Sequence, residues 1–353
     1  MAIDAQVAYD DIAKKYGAVS VDERQFSPTI HLRQFNNWIK SSLVDRYCPS
    51  NNAVIFDCAC GKGGDIPKFK LKKPSCYVFA DISADSLDVA YTKYKCIREE
   101  TQAYFIAGDT FSCNLSKIIS DDLQFHVSSC QFAFHYSFKT ESLARSAISN
   151  LCDRLVPGGY VLLTIPNACR LVKLFRESNT PVIQNSLVKI TKNFELNDIP
   201  MFGAEYVFDL RESVNNTAEY LVHPEVLKQL FKQHHCELVE SFPFHEYYHE
   251  VLRSDPEMAK LYCNLLEKLG FENADMTTDE WFVVGLYSFF VFRKEGSMPK
   301  MPPPLKRGDK KSNRFFVFDS VTGQKTEHDI TQLLNDKKRE KRRFDQQNRR
   351  DHR

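Results

Sequence analysis

Residues 54–65 read Val-Ile-Phe-Asp-Cys-Ala-Cys-Gly-Lys-Gly-Gly-Asp. A short apolar run, an acid at its end and a glycine-rich loop describe a buried strand that turns sharply beneath a ligand. In doubly wound sheets, ligands lie beyond the carboxyl ends of the strands. The loop is not the dinucleotide G-x-G-x-x-G, because Ala59 stands at the first glycine position. It is not a P-loop either, since no Gly-Lys-Ser/Thr follows.

Outward from this loop the chain alternates. Tyr77-Val78-Phe79-Ala80 runs into Asp81, and Leu87, Tyr91, Tyr94 and Ile97 recur every three or four residues on one helix face. Tyr104-Phe105-Ile106 leads to Gly108-Asp109, and His126-Val127 leads to the run CQFAFHYSF. Leu143, Ala147, Leu151 and Leu155 predict a helix over residues 140–155 that stops at Pro157-Gly158-Gly159. Further strands are expected over residues 160–165, 236–239 and 286–292. Near-continuous apolar strands alternating with helices argue for a parallel sheet covered on both faces. Asp81, 24 residues after Asp57, suits a strand-end carboxylate that accepts hydrogen bonds from a ribose diol. Asp109 is placed to meet the amino group of adenine. The competing reading is that both acids only cap helices. An adenosine-type cofactor follows from the loop and the two acids together. The expected final strands and the Pro-Gly-Gly-Tyr turn favour S-adenosylmethionine over a nicotinamide.

The 353 residues, 43% hydrophobic and 26% charged, suffice for one large domain with additions or two modest ones. No apolar run approaches the ~18–20 residues of a membrane span, and the first residues lack the apolar core of a secretory signal. Eleven cysteines, with no Cys-x-x-Cys pair, read as free, mostly buried thiols in a reducing compartment, and no metal site is expected. Residues 300–353 hold 16 Lys and Arg against 8 Asp and Glu, a net +8, which leaves −7 on residues 1–299. The junction GSMPKMPPPLKRGDKKSNR reads as an extended linker, and KKREKRR as a nucleic-acid contact, a nuclear import signal or simply a solubilising run. Phe315-Phe316-Val317-Phe318 is an apolar island that either docks on the body or binds a partner.

Several strings closely resemble the mRNA cap (guanine-N7) methyltransferase family: SPTIHLRQFNNWIKSSLV, DCACGKGGDIPKF, FADIS, CQFAFHYSF, VPGGYVLLTIPN and FGAEYVFDLRESVNNTAEYLV, in the right order through most of residues 20–295. The chain looks like a plant-type member. The resemblance implies a class I S-adenosylmethionine-dependent methyltransferase fold, Rossmann-like, with a mostly parallel seven-stranded sheet, helices on both faces and a substrate-binding insertion. The expected division is a methyltransferase domain over residues 1–295, with a cap-binding insertion at about 166–235, then a basic, flexible tail over 296–353.

Carried over residue by residue, the family implies that Lys40 binds the cofactor's carboxylate, Asp81 the ribose and Asp109 the adenine edge. Gln131 and Tyr136 line the cofactor cleft. The cap contacts match Asn36, Asn37, His135, Glu219 and Tyr287. Without the family, His135 reads as a satisfied core histidine, Tyr136 and Tyr287 as core aromatics, and Lys40 as a snorkelling helix residue. The family has glycine where this chain has Ala59, whose methyl group is expected to crowd the cofactor or to resist a positive φ.

The expected partner is capped RNA ending in GpppN, with other capping or transcription components, in the nucleus. No general base is expected, because guanine N7 already carries an in-plane lone pair. Glu219 is the electrostatic stabiliser, and Lys62, Lys68 and Arg33 are nominated for the triphosphate. Two other functions compete: a catalytically weak or inactive cap-binding scaffold, motivated by Ala59 and the tail, and a methyltransferase of the same fold acting on a small molecule or protein.

Overall fold

The first described helix, α1 (Ile30–Tyr47), sorts its residues by spacing. Leu32, Phe35, Trp38, Ile39 and Leu43 are buried on one face, while Arg33, Asn36, Asn37 and Lys40 share the other. Trp38 donates its indole N–H to the Met258 carbonyl at 2.8 Å, which fixes the rotation of the helix. The computed structural model describes residues 27–95, 101–267, 276–301, 314–318 and 324–329.

The central sheet is built from β1 (Val54–Cys58), β2 (Cys76–Asp81), β3 (Gln102–Ala107), β4 (Phe125–Gln131), β5 (Leu155–Pro166), β10 (Cys236–Pro243) and β11 (Tyr287–Lys294). Its order is β10-β11-β5-β4-β1-β2-β3, continued beyond β3 by β12 (Arg314–Phe318) and β13 (Lys325–Asp329). Strands β1 to β5 pair in parallel, and β11 runs antiparallel to β5. Seven strands were expected, and these seven are present with two more at one edge. Strand alternation sends side chains to two buried clusters. Ile55, Tyr77, Phe79 and Phe105 face one side, and Phe56, Val78, Ala80 and Ile106 the other. Tyr77 and Phe79 stack at 4.0 Å, and Phe79 and Phe105 at 4.8 Å.

Helices α2 (Ile66–Lys70), α3 (Ala84–Tyr94) and α4 (Glu141–Cys152) follow β1, β2 and β4. Thr140 starts α4 by accepting the Leu143 N–H at 3.2 Å. The helix ends at Cys152 and not at Leu155, which already belongs to β5 opposite Phe125. Pro157-Gly158-Gly159 therefore lies inside a strand and does not end the helix. Gly158 has φ +75°, and a Cβ on Gly159 would lie 3.0 Å from the His126 carbonyl, so the turn chemistry serves an irregularity of strand pairing.

Between β5 and β10 come α5 (Ala168–Ser178), a four-stranded antiparallel sheet of β6 (Val182–Gln184), β7 (Val188–Lys192), β8 (Glu205–Leu210) and β9 (Val214–Tyr220), and α6 (Pro224–Lys232). Helices α7 (Phe244–Ser254), α8 (Pro256–Glu267) and α9 (Thr278–Val284) separate β10 from β11. No helix among the described residues is long and apolar enough to cross a membrane.

The apolar island docks on the body. β12 pairs in parallel with β3, and Phe315, Phe316 and Phe318 are buried. Burial of a Phe side chain is worth about 1.5–3 kcal/mol. For these strands the expectation of a flexible tail is corrected. Ile97, the three-proline linker and the KKREKRR run lie outside the described residues.

Candidate functional site

Register places the strand ends side by side. Cys58 pairs with Ala80 on one flank and Cys130 on the other, so Ala59, Asp81 and Gln131 follow at one level of the sheet. Asp81 pairs with Ala107, so Gly108-Asp109 comes next along the same edge. On the other side Gln131 pairs with Thr164, and Tyr287 pairs with Pro166, because β11 begins where β5 ends. Ala59, Asp81, Asp109, Gln131 and Tyr287 thus share one rim, and strand order reverses at β1.

The glycine loop is shaped by Asp81. One carboxylate oxygen accepts the Gly61 N–H at 2.7 Å and the other the Ser83 N–H at 2.9 Å. Ser83 caps α3 through its own hydroxyl, so that task does not fall to Asp81. Asp109 accepts the Phe111 N–H at 3.0 Å, a local turn of the kind the competing reading described. A Cβ on Gly61 or Gly64 would meet nothing within 4 Å, so the loop borders open space.

Ala59 does adopt a left-handed conformation, with φ +55°, but its methyl group packs against the buried cluster of Phe56 and Cys130. The cost is backbone strain, about 1–2 kcal/mol for a residue with a Cβ. Ala59→Gly is therefore expected to stabilise the protein by about 0.5–1 kcal/mol after the entropy of the added glycine, without weakening cofactor affinity. An unshifted urea midpoint would contradict this.

Lys40 and Lys68 converge on Asp65, with Nζ–O distances of 2.7 and 2.8 Å. Burial alone would raise the Asp65 carboxyl, but the two ammonium groups outweigh it and hold it below the usual carboxylate range. Asp57 has the opposite balance. Burial and then neighbouring Asp65 push it well up, and the Tyr77 hydroxyl donates to it at 3.3 Å. Lys68 also donates to Asn37 Oδ1 at 3.0 Å and the Gly64 carbonyl at 3.3 Å, so its three donors are all engaged. This corrects its nomination for the triphosphate: Lys68 holds the loop and Asn37 in place. Arg33 is drawn onto Glu212, 3.4 Å away. Lys62 sits half-buried in the glycine loop.

The second half of the site centres on Glu219, which pairs across the small sheet with Tyr206. Its carboxylate, 3% exposed, accepts from the Tyr206 hydroxyl at 2.8 Å and from the Tyr136 hydroxyl at 3.3 Å. Burial and then the Glu219 carboxylate push the Tyr206 phenol well up, so it remains a donor. His135 lies on the short helical turn Phe134–Lys139, with its ring tilted against that of Tyr136 at 4.3 Å between centroids. Its Nε2 is 3.4 Å from Glu219 but without hydrogen-bond geometry, and both ring nitrogens are buried and unpartnered. It is not a satisfied core histidine. Gln131 Oε1 and Asn36 Oδ1 are likewise buried without partners. Native interiors rarely leave such atoms unmet unless a ligand or water meets them.

Phe132 joins the two halves. Its φ is +58°, rare for a bulky residue, and its N–H is taken by both the Thr164 carbonyl and hydroxyl at 2.9 Å. The kink turns the chain from β4 into the His135 segment. Its ring lies 6.0 Å from the Lys40 ammonium and 5.1 Å edge-on from Tyr287, which also packs on Phe208 and Phe244. Phe132, Tyr206 and Asp65 were not singled out from the sequence. Strand alternation in EYVFDL fixes the face of Tyr206, but only cross-strand register reveals its partner. Among the described residues no group of three or more His, Cys, Asp or Glu could hold a metal ion.

The profile of the mRNA (guanine-N(7))-methyltransferase domain matches residues 5–295 of this sequence. The chain belongs to that family. It is 37% identical over 293 residues to mRNA cap guanine-N(7) methyltransferase 1 of Arabidopsis thaliana, covering 78% of each chain. It is 35% identical over 325 residues to the protein of that name from Oryza sativa subsp. japonica, covering 87% of this chain and 86% of the other. The mRNA cap guanine-N(7) methyltransferase of Saccharomyces cerevisiae is 32% identical over 292 residues, 77% of this chain and 66% of that one. The α/β architecture is accordingly the class I methyltransferase fold, and the family's methyl donor is S-adenosylmethionine. The residues present fit that donor: an open glycine loop, a strand-end carboxylate fixed by backbone N–H groups, and an unpartnered amide oxygen at Gln131.

Proposed function

We propose that the chain methylates N7 of the terminal guanosine of GpppN-capped RNA, with the cofactor over Ala59, Asp81, Asp109 and Gln131 and the guanine between Glu219, His135 and Tyr287. The observation that supports this most is the set of unpartnered buried polar atoms at Asn36, Gln131 and His135, the last of them 3.4 Å from the buried carboxylate of Glu219. A guanine offers donors at N1 and N2 for the carboxylate, and acceptors elsewhere for a histidine N–H.

The bound donor supplies a methyl group on a positively charged sulfur. Lys40 holds the donor's carboxylate, Asp81 its ribose and Asp109 its adenine edge. Tyr206 and Tyr136 fix Glu219 so that its charge faces the guanine, where positive charge grows as N7 is alkylated. A preorganised group of this kind acts most strongly where charge develops. Tyr287, held by Phe132, Phe208 and Phe244, orients the base. Guanine N7 attacks with its in-plane lone pair, so no general base is needed, and alignment of the two bound reactants can contribute about 7–11 kcal/mol. Asn36 and Asn37 contact the cap in this reading, with Asn37 positioned by the Lys68 ammonium.

The test is incubation with labelled S-adenosylmethionine and GpppG-ended RNA, followed by nuclease digestion. Label in 7-methylguanosine is expected; label in a ribose, or none, would refute the assignment.

The basic segment after Asp329 serves downstream RNA in this reading, and the place of action is the nucleus, beside other capping or transcription components. Removal of residues 330–353, with 9 Lys and Arg against 4 Asp and Glu, is expected to weaken binding of a long transcript and flatten its salt dependence. Turnover of a short cap analogue should stay unchanged; equal loss on both would contradict an RNA role.

A further inference from the structure

The geometry points to the β12–β13 hairpin as a working wall of the cofactor site on its adenine side, a positioning element outside the family's shared domain. The inference rests on the assignment of Asp109 to the adenine edge.

The family profile ends at residue 295, and the hairpin begins at Arg314. β12 lies beside β3 with Val317 paired to Ala107, so its end reaches the segment that carries Asp109. Contact there is close. A Cβ on Gly108 would lie 2.6 Å from the Phe318 carbonyl oxygen and 3.2 Å from its Cβ. Gly108 in turn donates its N–H to the Asp81 carbonyl at 2.9 Å. One glycine therefore touches both the ribose acid's backbone and the last residue of the added strand.

The far end of the same segment is also held. Lys325 on β13 donates to the Ile118 carbonyl at 3.0 Å, with its ammonium 5.1 Å from the Phe316 ring centroid. Phe316 and Phe318 are buried in the same cluster as Cys113, Leu115 and Ile118. Residues 108–118 thus run between two grips, at Phe318 and at Lys325, and Asp109 follows directly on the first. Without the hairpin, β3 would be a sheet edge and Asp109 would sit on a loop supported from one side.

The test compares chains ending at residue 299 and at residue 329 with the full protein. The readouts are affinity for S-adenosylhomocysteine, affinity for its inosine analogue, which lacks the adenine amino group, and affinity for a GpppG cap analogue. The chain ending at 329 is expected to match the full protein. The chain ending at 299 should bind S-adenosylhomocysteine about tenfold or more weakly, lose most of its preference over the inosine analogue and keep its cap affinity within about twofold. Unchanged cofactor affinity and unchanged preference would overturn the inference.

Should the shorter chain not fold, Lys325→Met in the full chain decides. About a threefold loss with reduced preference for adenine supports the proposal, and no change refutes it. Asp109→Ala in the full chain isolates the underlying assignment. Preference lost there but kept in the hairpin variants refutes the hairpin alone, whereas preference kept in Asp109→Ala refutes the adenine role of Asp109.

Discussion

Glu219→Ala is expected to lower kcat/KM for capped RNA about 10²–10³-fold while leaving the Kd for S-adenosylmethionine within about twofold. The carboxylate is nearly inaccessible to solvent, yet it faces two phenol donors and an imidazole whose nitrogens have no other partner. Burying a charge is costly, and a purely structural role would be met better by a neutral side chain. The arrangement makes sense if a cationic purine completes it. Glu219→Gln retains the shape and an acceptor but not the charge, so it separates the two ideas. If the charge matters, kcat falls nearly as far as for alanine while the melting temperature holds or rises. Recovery of full turnover by Gln would show that hydrogen bonding, not charge, is what Glu219 supplies.

The second large effect is expected at Asp81. Its two oxygens hold the N–H groups of Gly61 and Ser83, so it shapes the loop and the start of α3 before any ligand arrives. Asp81→Ala leaves those donors unmet, at about 1–3 kcal/mol each where water cannot reach them, and removes the acceptor for the ribose. Calorimetry should show the Kd for S-adenosylmethionine raised about 100-fold or more, against little change in cap-analogue affinity. A Kd within threefold of the unmodified protein would mean that the ribose lies elsewhere.

How far the sequence revealed this molecule depended on the range of the interaction concerned. β1 to β5 were legible because each is a short apolar run whose end is marked by an acid, a glycine loop or a polar residue. Leu155 misled because every fourth position of residues 143–155 is apolar, and periodicity alone cannot tell that the last of these has crossed into a strand. The glycine turn after it looked like a stop signal, yet it accommodates a strand irregularity. The small antiparallel sheet was not divided into strands at all, since its edges carry mixed polar residues.

Within the site, residue types were legible and partnerships were not. Lys68 looked like a phosphate ligand until Asn37, Asp65 and Gly64 were seen to take its three donors. Phe132 gave no local signal, because a positive φ on an aromatic residue is imposed by packing from Thr164, Tyr287 and Phe244. Ala59 was expected to crowd the cofactor or to resist a positive φ; it takes the positive φ, with its methyl group packed against the core. The docked Phe315-Phe316-Val317-Phe318 strand was one of two outcomes left open, and only β3's unpaired edge chooses between them.

The decisive measurement is a crystal structure of the ternary complex with S-adenosylhomocysteine and GpppG. Guanine N7 is expected to point at the cofactor sulfur, with the Glu219 carboxylate on the N1 and N2 edge of the base and Tyr287 against it. A guanine bound away from Glu219, or turned so that another atom faces the sulfur, would contradict this.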